Sequence, residues 1–201
     1  MLRKPGAAKL IATLLLVLLS GVGGPIPQAS GATPSANGTP LIWVAPTLSV
    51  VPIGEETCVD IRVHDVQNLF GFETIIQFDP VKVSVVDAEP GRSGIQILPG
   101  PFLQPEDPSQ WFVINNANNS AGSARLAITR MAPLSGVSGS GILATACFRG
   151  NIRGHSQVNL SLTSTLMLDP SIAAIPFALK PGGIFVGSVH RLRIPEVARG
   201  F

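Results

Sequence analysis

The chain has 201 residues, of which 45% are hydrophobic and only 13% are charged. This length allows one domain of ordinary size with a buried core. The 21 Gly and 18 Pro residues follow no fixed repeat, which excludes collagen-like order and indicates short elements joined by tight turns. No stretch has the apolar spacing of a long amphipathic helix. The composition therefore predicts an all-β protein.

The first residues have the layout of an export signal. A basic start precedes the apolar run LIATLLLVLL at residues 10–19, and small residues and prolines follow it. This order is typical of a secretory signal peptide, and the run is too short to span a bilayer as a mature anchor. We expect residues 1–32 to be removed and residues 33–44 to form a flexible leader. The mature protein is then expected to be secreted or displayed at the cell surface, with no membrane span.

The basic character of the chain comes largely from this signal. Removing its three basic residues lowers the formal net charge from +2 to −1. Binding to nucleic acid relies on clustered Lys and Arg side chains. We therefore expect no nucleic-acid partner for the mature chain.

Cys58 and Cys147 are the only cysteines, and both remain after export. An oxidising compartment favours a disulfide between them, and two separate buried thiols are the alternative. The distant His64, His155 and His190 show no metal-ligand spacing with these cysteines. The sequence therefore predicts no metal site, and it indicates no cofactor.

Apolar residues that alternate or form short clusters between Gly, Pro, Asn and Asp predict nine strands. In chain order these strands lie at residues 45–51, 57–66, 70–78, 81–88, 110–116, 123–130, 140–149, 156–167 and 182–187. Many short strands at this spacing are typical of two sheets packed as a sandwich. We expect the domain to occupy residues 45–187, followed by a basic tail at 188–201.

Several of these segments, taken in order, resemble a known family. They are ETCVDIRVHDVQNLFGFETIIQFDP, VKVSVVDAEPG, SARLAITR, SGSGILATACFRG and GGIFV. Their order and spacing resemble cohesin domains, the dockerin-binding modules of cellulosome scaffolds and other exported prokaryotic proteins. The resemblance implies a nine-stranded jelly-roll sandwich, related in fold to bacterial cellulose-binding modules. It also implies that the second and seventh expected strands pair antiparallel, which would place Cys58 opposite Cys147.

The resemblance further implies that the third, fifth and sixth expected strands belong to the sheet that receives the partner. Alternation along the third and sixth strands gives the expected contact residues Glu73, Ile75, Gln77, Arg125, Ala127, Thr129 and Arg130. Such a surface, with an apolar centre and a polar rim, suits protein recognition. On the fifth strand the sequence does not decide whether Trp111 and Val113, or Phe112 and Ile114, face outward.

The family's dockerin-binding pattern carries an Asn and an Asp on the third strand and an acid after the sixth. Here Gly71 and Glu73 take the first two places, and Arg130 lies near the last. Glu73 keeps an acidic side chain, Gly71 has no side chain, and Arg130 reverses the charge. The resemblance therefore implies a dockerin-like or other extracellular protein partner, in the setting of a polysaccharide-degrading assembly. These departures leave recognition of an ordinary type I dockerin open.

Catalysis is not expected from this sequence. In GVSGSG, at residues 136–141, Ser140 stands where a G-x-S-x-G nucleophile elbow requires its last Gly, and the His residues have no evident Ser or Cys partner.

The alternatives to protein attachment are a carbohydrate-binding module and a purely structural surface module. Flat sugar binding needs exposed aromatic rings, but the chain has no Tyr and two Trp residues. Trp111 is the candidate sugar platform.

Overall fold

The structure, a computed structural model, describes residues 38–188. The expected signal at residues 1–32, the start of the expected leader and the tail beyond residue 188 lie outside the described residues. None of the helices in residues 38–188 has the length and apolar character needed to cross a membrane.

Strands dominate the described residues. They are β1 Leu41–Ala45, β2 Leu48–Val51, β3 Glu56–Leu69, β4 Gly71–Gln77, β5 Val83–Val85, β6 Leu98–Pro99, β7 Trp111–Asn118, β8 Ser123–Arg130, β9 Val137–Gly150, β10 Gly154–Leu160, β11 Leu166–Leu168, β12 Ala178–Lys180 and β13 Gly182–Val186. The short 3-10 helices Pro108–Gln110 and Leu162–Ser164 precede β7 and β11. All nine expected strands are present. The structure adds β1, β6 and β12, and it divides the expected strand at 156–167 into β10 and β11.

The strands form two sheets. The first has the order β12-β1-β3-β9-β5, with β6 also paired to β9. The second has the order β2-β13-β10-β4-β8-β7, with β11 also paired to β4. Buried apolar side chains of both sheets form one hydrophobic core, to which Ile61 and Phe148 contribute from the first sheet and Ile76 and Leu126 from the second. The expected all-β sandwich is confirmed.

Strand β1 lies largely within the segment expected to be a flexible leader. Ile42 and Val44 are fully buried, and β1 pairs with β3 along its length. The expectation of a leader is therefore wrong from Leu41 onward. Pro46 follows β1, and β2 belongs to the other sheet, so the chain passes between the sheets at the point where the sequence indicated a single strand.

The two longest strands, β3 and β9, carry the expected disulfide. Cys58 and Cys147 are direct partners in their antiparallel register, and the two Sγ atoms are 2.00 Å apart. The alternative of two separate buried thiols is wrong. Cys58 is exposed, so the bridge lies on the outward side of the first sheet.

Strand β3 bulges where it passes the GVSGSG segment of β9. Its register shifts twice within residues 63–69, and Asp65 and Asn68 adopt φ angles of 54° and 56°. The Ser140 hydroxyl accepts a hydrogen bond from the Asp65 N–H at 3.0 Å, and the Ser138 hydroxyl accepts one from the Asn68 N–H at 2.8 Å. These serines therefore have a structural role, because bulges remove N–H groups from the regular ladder.

Candidate functional site

The outward side of β4, β8 and β7 forms a broad open surface, which we call the β4–β8–β7 face. The inward residues of β4 and β8, including Phe72, Ile76, Leu126 and Ile128, are buried in the core. The alternate residues point outward and are Glu73, Ile75, Gln77, Ser123, Arg125, Ala127, Thr129, Phe112, Ile114, Asn116 and Asn118. Six of the seven expected contact residues lie on this face, and their role in binding stays a prediction.

Strand β7 has the orientation that the sequence left undecided. Phe112 is 51% exposed and lies opposite Thr129 on the outward side, while Trp111 packs against the hydrophobic core. Trp111 is half-buried and does not lie on the outward side of this face, which argues against the sugar platform, and that role stays a prediction. Its place in the register with β8 puts it in the inward phase, so the exposed aromatic ring of this face belongs to Phe112.

Side chains of different character occupy different ends of the face. Towards the Phe112 end, two rows across the strands contain Leu168, Gly71, Thr129 and Phe112, and then Leu166, Glu73, Ala127 and Ile114. Towards the other end, one row contains Asn159, Gln77, Ser123 and Asn118. The face thus joins a mainly apolar area to a band of amide and hydroxyl groups.

A shallow depression of about 440 Å³ borders the polar band. Gln77 and Asn159 line it together with residues of the 3-10 helix Leu162–Ser164. Leu162 is 69% exposed. An apolar side chain and two amides are therefore available to a partner at this border.

An ion pair lies near the centre of the face. Both Nη2 and Nε of Arg125 donate to Oε1 of Glu73, at 2.7 and 2.9 Å. The Glu73 side chain is 16% exposed and the Arg125 side chain 40%. Because the two charges are already paired within the chain, the centre of the face presents little net charge to a partner.

Two departures from the family pattern differ in their structural consequences. A Cβ placed on Gly71 would have ordinary contacts, the nearest being Oγ1 of Thr129 at 3.5 Å. Arg130 donates hydrogen bonds to the carbonyl oxygens of Leu103 at 2.9 Å and Ser135 at 3.1 Å. Including Arg130 in the contact face is therefore wrong. It shares the inward phase of β8 and joins two loops at the end of the sandwich.

On the first sheet, His64 has partners that the sequence did not reveal. Its Nδ1 is 2.7 Å from Oγ of Ser140, and its Nε2 is 3.3 Å from Oδ2 of Asp65. No His has an evident Ser partner in the sequence, and the structure provides one for His64. The pairing of β3 with β9 brings the two residues together across 76 positions, which no local motif could indicate.

Comparisons with known proteins connect this geometry to a family of folds. No protein-family model matches the chain, and no curated protein matches it. Solved structures do match. A non-cellulosomal cohesin from the archaeon Archaeoglobus fulgidus has a TM-score of 0.58 at 16% identity, covering 75% of this chain and 93% of that one.

A type II cohesin domain from the cellulosome of Acetivibrio cellulolyticus has a TM-score of 0.62 at 14% identity, covering 73% of this chain and 95% of that one. A chain in a type I cohesin–dockerin complex from Clostridium thermocellum has a TM-score of 0.57 at 13% identity, covering 74% of this chain and 99% of that one. This chain therefore has the jelly-roll fold of the cohesins, which confirms the fold that the resemblance implied.

Proposed function

We propose that this protein is a secreted, non-catalytic attachment module that binds a dockerin-like protein through the β4–β8–β7 face. The similarity in fold supports this proposal, since solved structures of this fold include cohesins in complex with dockerins. The observation that carries it is the face itself. An exposed Phe112 ring and the outward Ile75, Ile114 and Ala127 lie on an open sheet beside a band of amides.

The composition of the face defines the chemistry of the partner. The Glu73–Arg125 pair is satisfied within the chain, and Arg130 is turned away. A partner would therefore bind through apolar side chains and hydrogen bonds rather than through a buried charge. The affinity of this partner should change little with salt. Salt screens the attraction between exposed charges, and this face offers a partner few unpaired charges. This chemistry favours a divergent dockerin-like module over an ordinary type I dockerin.

The expected export signal and the disulfide support the proposed cellular setting. A disulfide persists in an oxidising compartment, which supports a location outside the cell or at its surface. There the module would attach dockerin-bearing proteins, for which enzymes of a polysaccharide-degrading assembly are the proposed cargo.

A binding experiment with matched variants tests the proposal. The immobilised mature protein is exposed to dockerin modules encoded in the same genome, and retained modules are titrated by calorimetry. Ala127→Arg places a long charged side chain on the face and should weaken binding by roughly 2 kcal/mol, about thirtyfold. Arg62→Ala, on the other sheet, is the control and should bind normally. If no dockerin is retained, or if Ala127→Arg binds as well as the unaltered protein, the attachment proposal is wrong.

A further inference from the structure

The outward side of the first sheet carries the second tryptophan of the chain. On β1 the residues alternate, so that Ile42 and Val44 are buried while Trp43 points outward and remains partly exposed. The chain has two Trp residues, and Trp111 packs against the core. Trp43 is therefore the tryptophan that a ligand could reach on a sheet surface.

Polar side chains border the Trp43 ring on both neighbouring strands. Lys180 of β12 lies directly opposite Trp43 on one side, and Arg62 of β3 lies directly opposite on the other. The Arg62 guanidinium is 4.0 Å from Oδ2 of Asp60, and Oδ1 of Asp60 accepts a hydrogen bond from the Thr145 hydroxyl at 2.8 Å. Across the strands, the Trp43 ring thus lies between the cationic side chains of Lys180 and Arg62, and the Asp60 carboxylate lies in the next row.

His64 fixes one edge of this surface. Its ring meets the Trp43 ring edge to face, with centroids 6.3 Å apart and an interplanar angle of 83°. Contacts of its two nitrogens with Ser140 and Asp65 hold the imidazole in place. Along β1 the neighbours on the same side are Leu41, which lies opposite His64, and Ala45, whose side chain is a single methyl group. The indole is therefore oriented by its surroundings.

These features match the chemistry of a sugar. A pyranose ring has an apolar C–H side and a rim of hydroxyl groups. It would stack on the indole and exchange hydrogen bonds with the surrounding donors and acceptors. The cations Lys180 and Arg62 are balanced by the carboxylates Asp60 and Asp65, so the local field does not favour a polyanion. An open, flat sheet is also better suited to bind along the side of a polysaccharide chain than to enclose the end of one.

We propose that this Trp43 surface, formed by Trp43, Arg62, Lys180, Asp60 and His64, binds a neutral polysaccharide. It goes beyond the proposed attachment function and does not depend on it. The Trp43 surface belongs to the first sheet and the β4–β8–β7 face to the second. Two separate surfaces would let one module hold a polysaccharide and a protein partner at the same time.

Affinity electrophoresis of the mature protein, with hydroxyethylcellulose, xylan, glucomannan or polygalacturonate in the gel, tests the proposal. At least one of the three neutral polymers should retard the protein, and Trp43→Ala should weaken that retardation by roughly tenfold or more. Phe112→Ala, on the other sheet, is the matched control and should be retarded normally. The melting temperature of Trp43→Ala should stay close to that of the unaltered protein, which separates lost binding from lost folding.

Tryptophan fluorescence provides a second readout. Trp111→Phe leaves Trp43 as the sole tryptophan, so a neutral polymer that binds should shift its emission. Any of three results would overturn the proposal. No neutral polymer retards the protein, polygalacturonate alone retards it, or a folded Trp43→Ala variant is still retarded normally.

Discussion

Replacing both cysteines by serine should lower stability by an amount that the loop length sets. The bridge joins residues 89 positions apart. In the chain-entropy description, opening a loop of this length returns about 15 cal/mol/K to the unfolded chain, or about 4.6 kcal/mol near room temperature. Cys58 is exposed and Cys147 is half-buried, so serine at these places leaves no large cavity. We therefore expect most of the effect to come from the unfolded state.

The folded state should survive this change. Strands β3 and β9 remain paired over most of their length, and the core lies on the other side of the sheet. A domain of this size has a total stability of about 5–15 kcal/mol, so a loss of about 4.6 kcal/mol leaves it folded but much less resistant to denaturant. The Ser variant should also show a larger denaturant m-value, because its unfolded chain exposes more surface.

Guanidinium unfolding, followed by circular dichroism, measures this difference between the oxidised protein and the Cys58→Ser/Cys147→Ser variant. The protein treated with reductant is the control and should match the variant. A difference below about 1 kcal/mol would contradict this expectation, since the constraint on the unfolded chain would then be far weaker than the loop length requires.

Three further predictions concern single side chains. Ser140→Ala should cost about 1–2 kcal/mol in equilibrium unfolding, because the Asp65 N–H loses its acceptor at the bulge, and an unchanged midpoint would contradict that role. Arg130→Met should lower stability by a similar amount, because it removes two hydrogen bonds to loop carbonyls, but it should leave partner binding intact. Weakened binding with normal stability would instead show that Arg130 belongs to the contact face. Gly71→Ala should change the free energy of unfolding by no more than about 0.5 kcal/mol, since its Cβ would approach Thr129 no closer than 3.5 Å, and a larger loss would show that the position needs Gly.

The sequence predicts this fold well where turns and alternation agree. Gly, Pro, Asn and Asp separate most of the expected strands, and the alternation along β4 and β8 correctly predicts which of their side chains face outward. The pairing of Cys58 with Cys147 follows from the expected compartment and from the family resemblance. These features are local, or depend on the expected export signal and the family resemblance, so none of them requires knowledge of the strand register.

The remaining features depend on long-range pairing. On β7 the residues Trp111 to Ile114 are all apolar, so alternation alone gives no orientation, and only the register with β8 turns Phe112 outward. Strand β1 was missed because a short apolar segment between prolines is equally compatible with a leader. The contact between His64 and Ser140, and the place of Trp43 between two cations, arise when distant strands meet in one sheet.

Binding through the β4–β8–β7 face is tested most directly by a map of amide chemical shifts in the mature protein during titration with a retained dockerin-like module. We expect the largest changes to cluster at Ile75, Ala127 and Phe112, while Trp43 and Arg62 on the other sheet stay unchanged. Changes concentrated on the first sheet, with the β4–β8–β7 face unaffected, would contradict it.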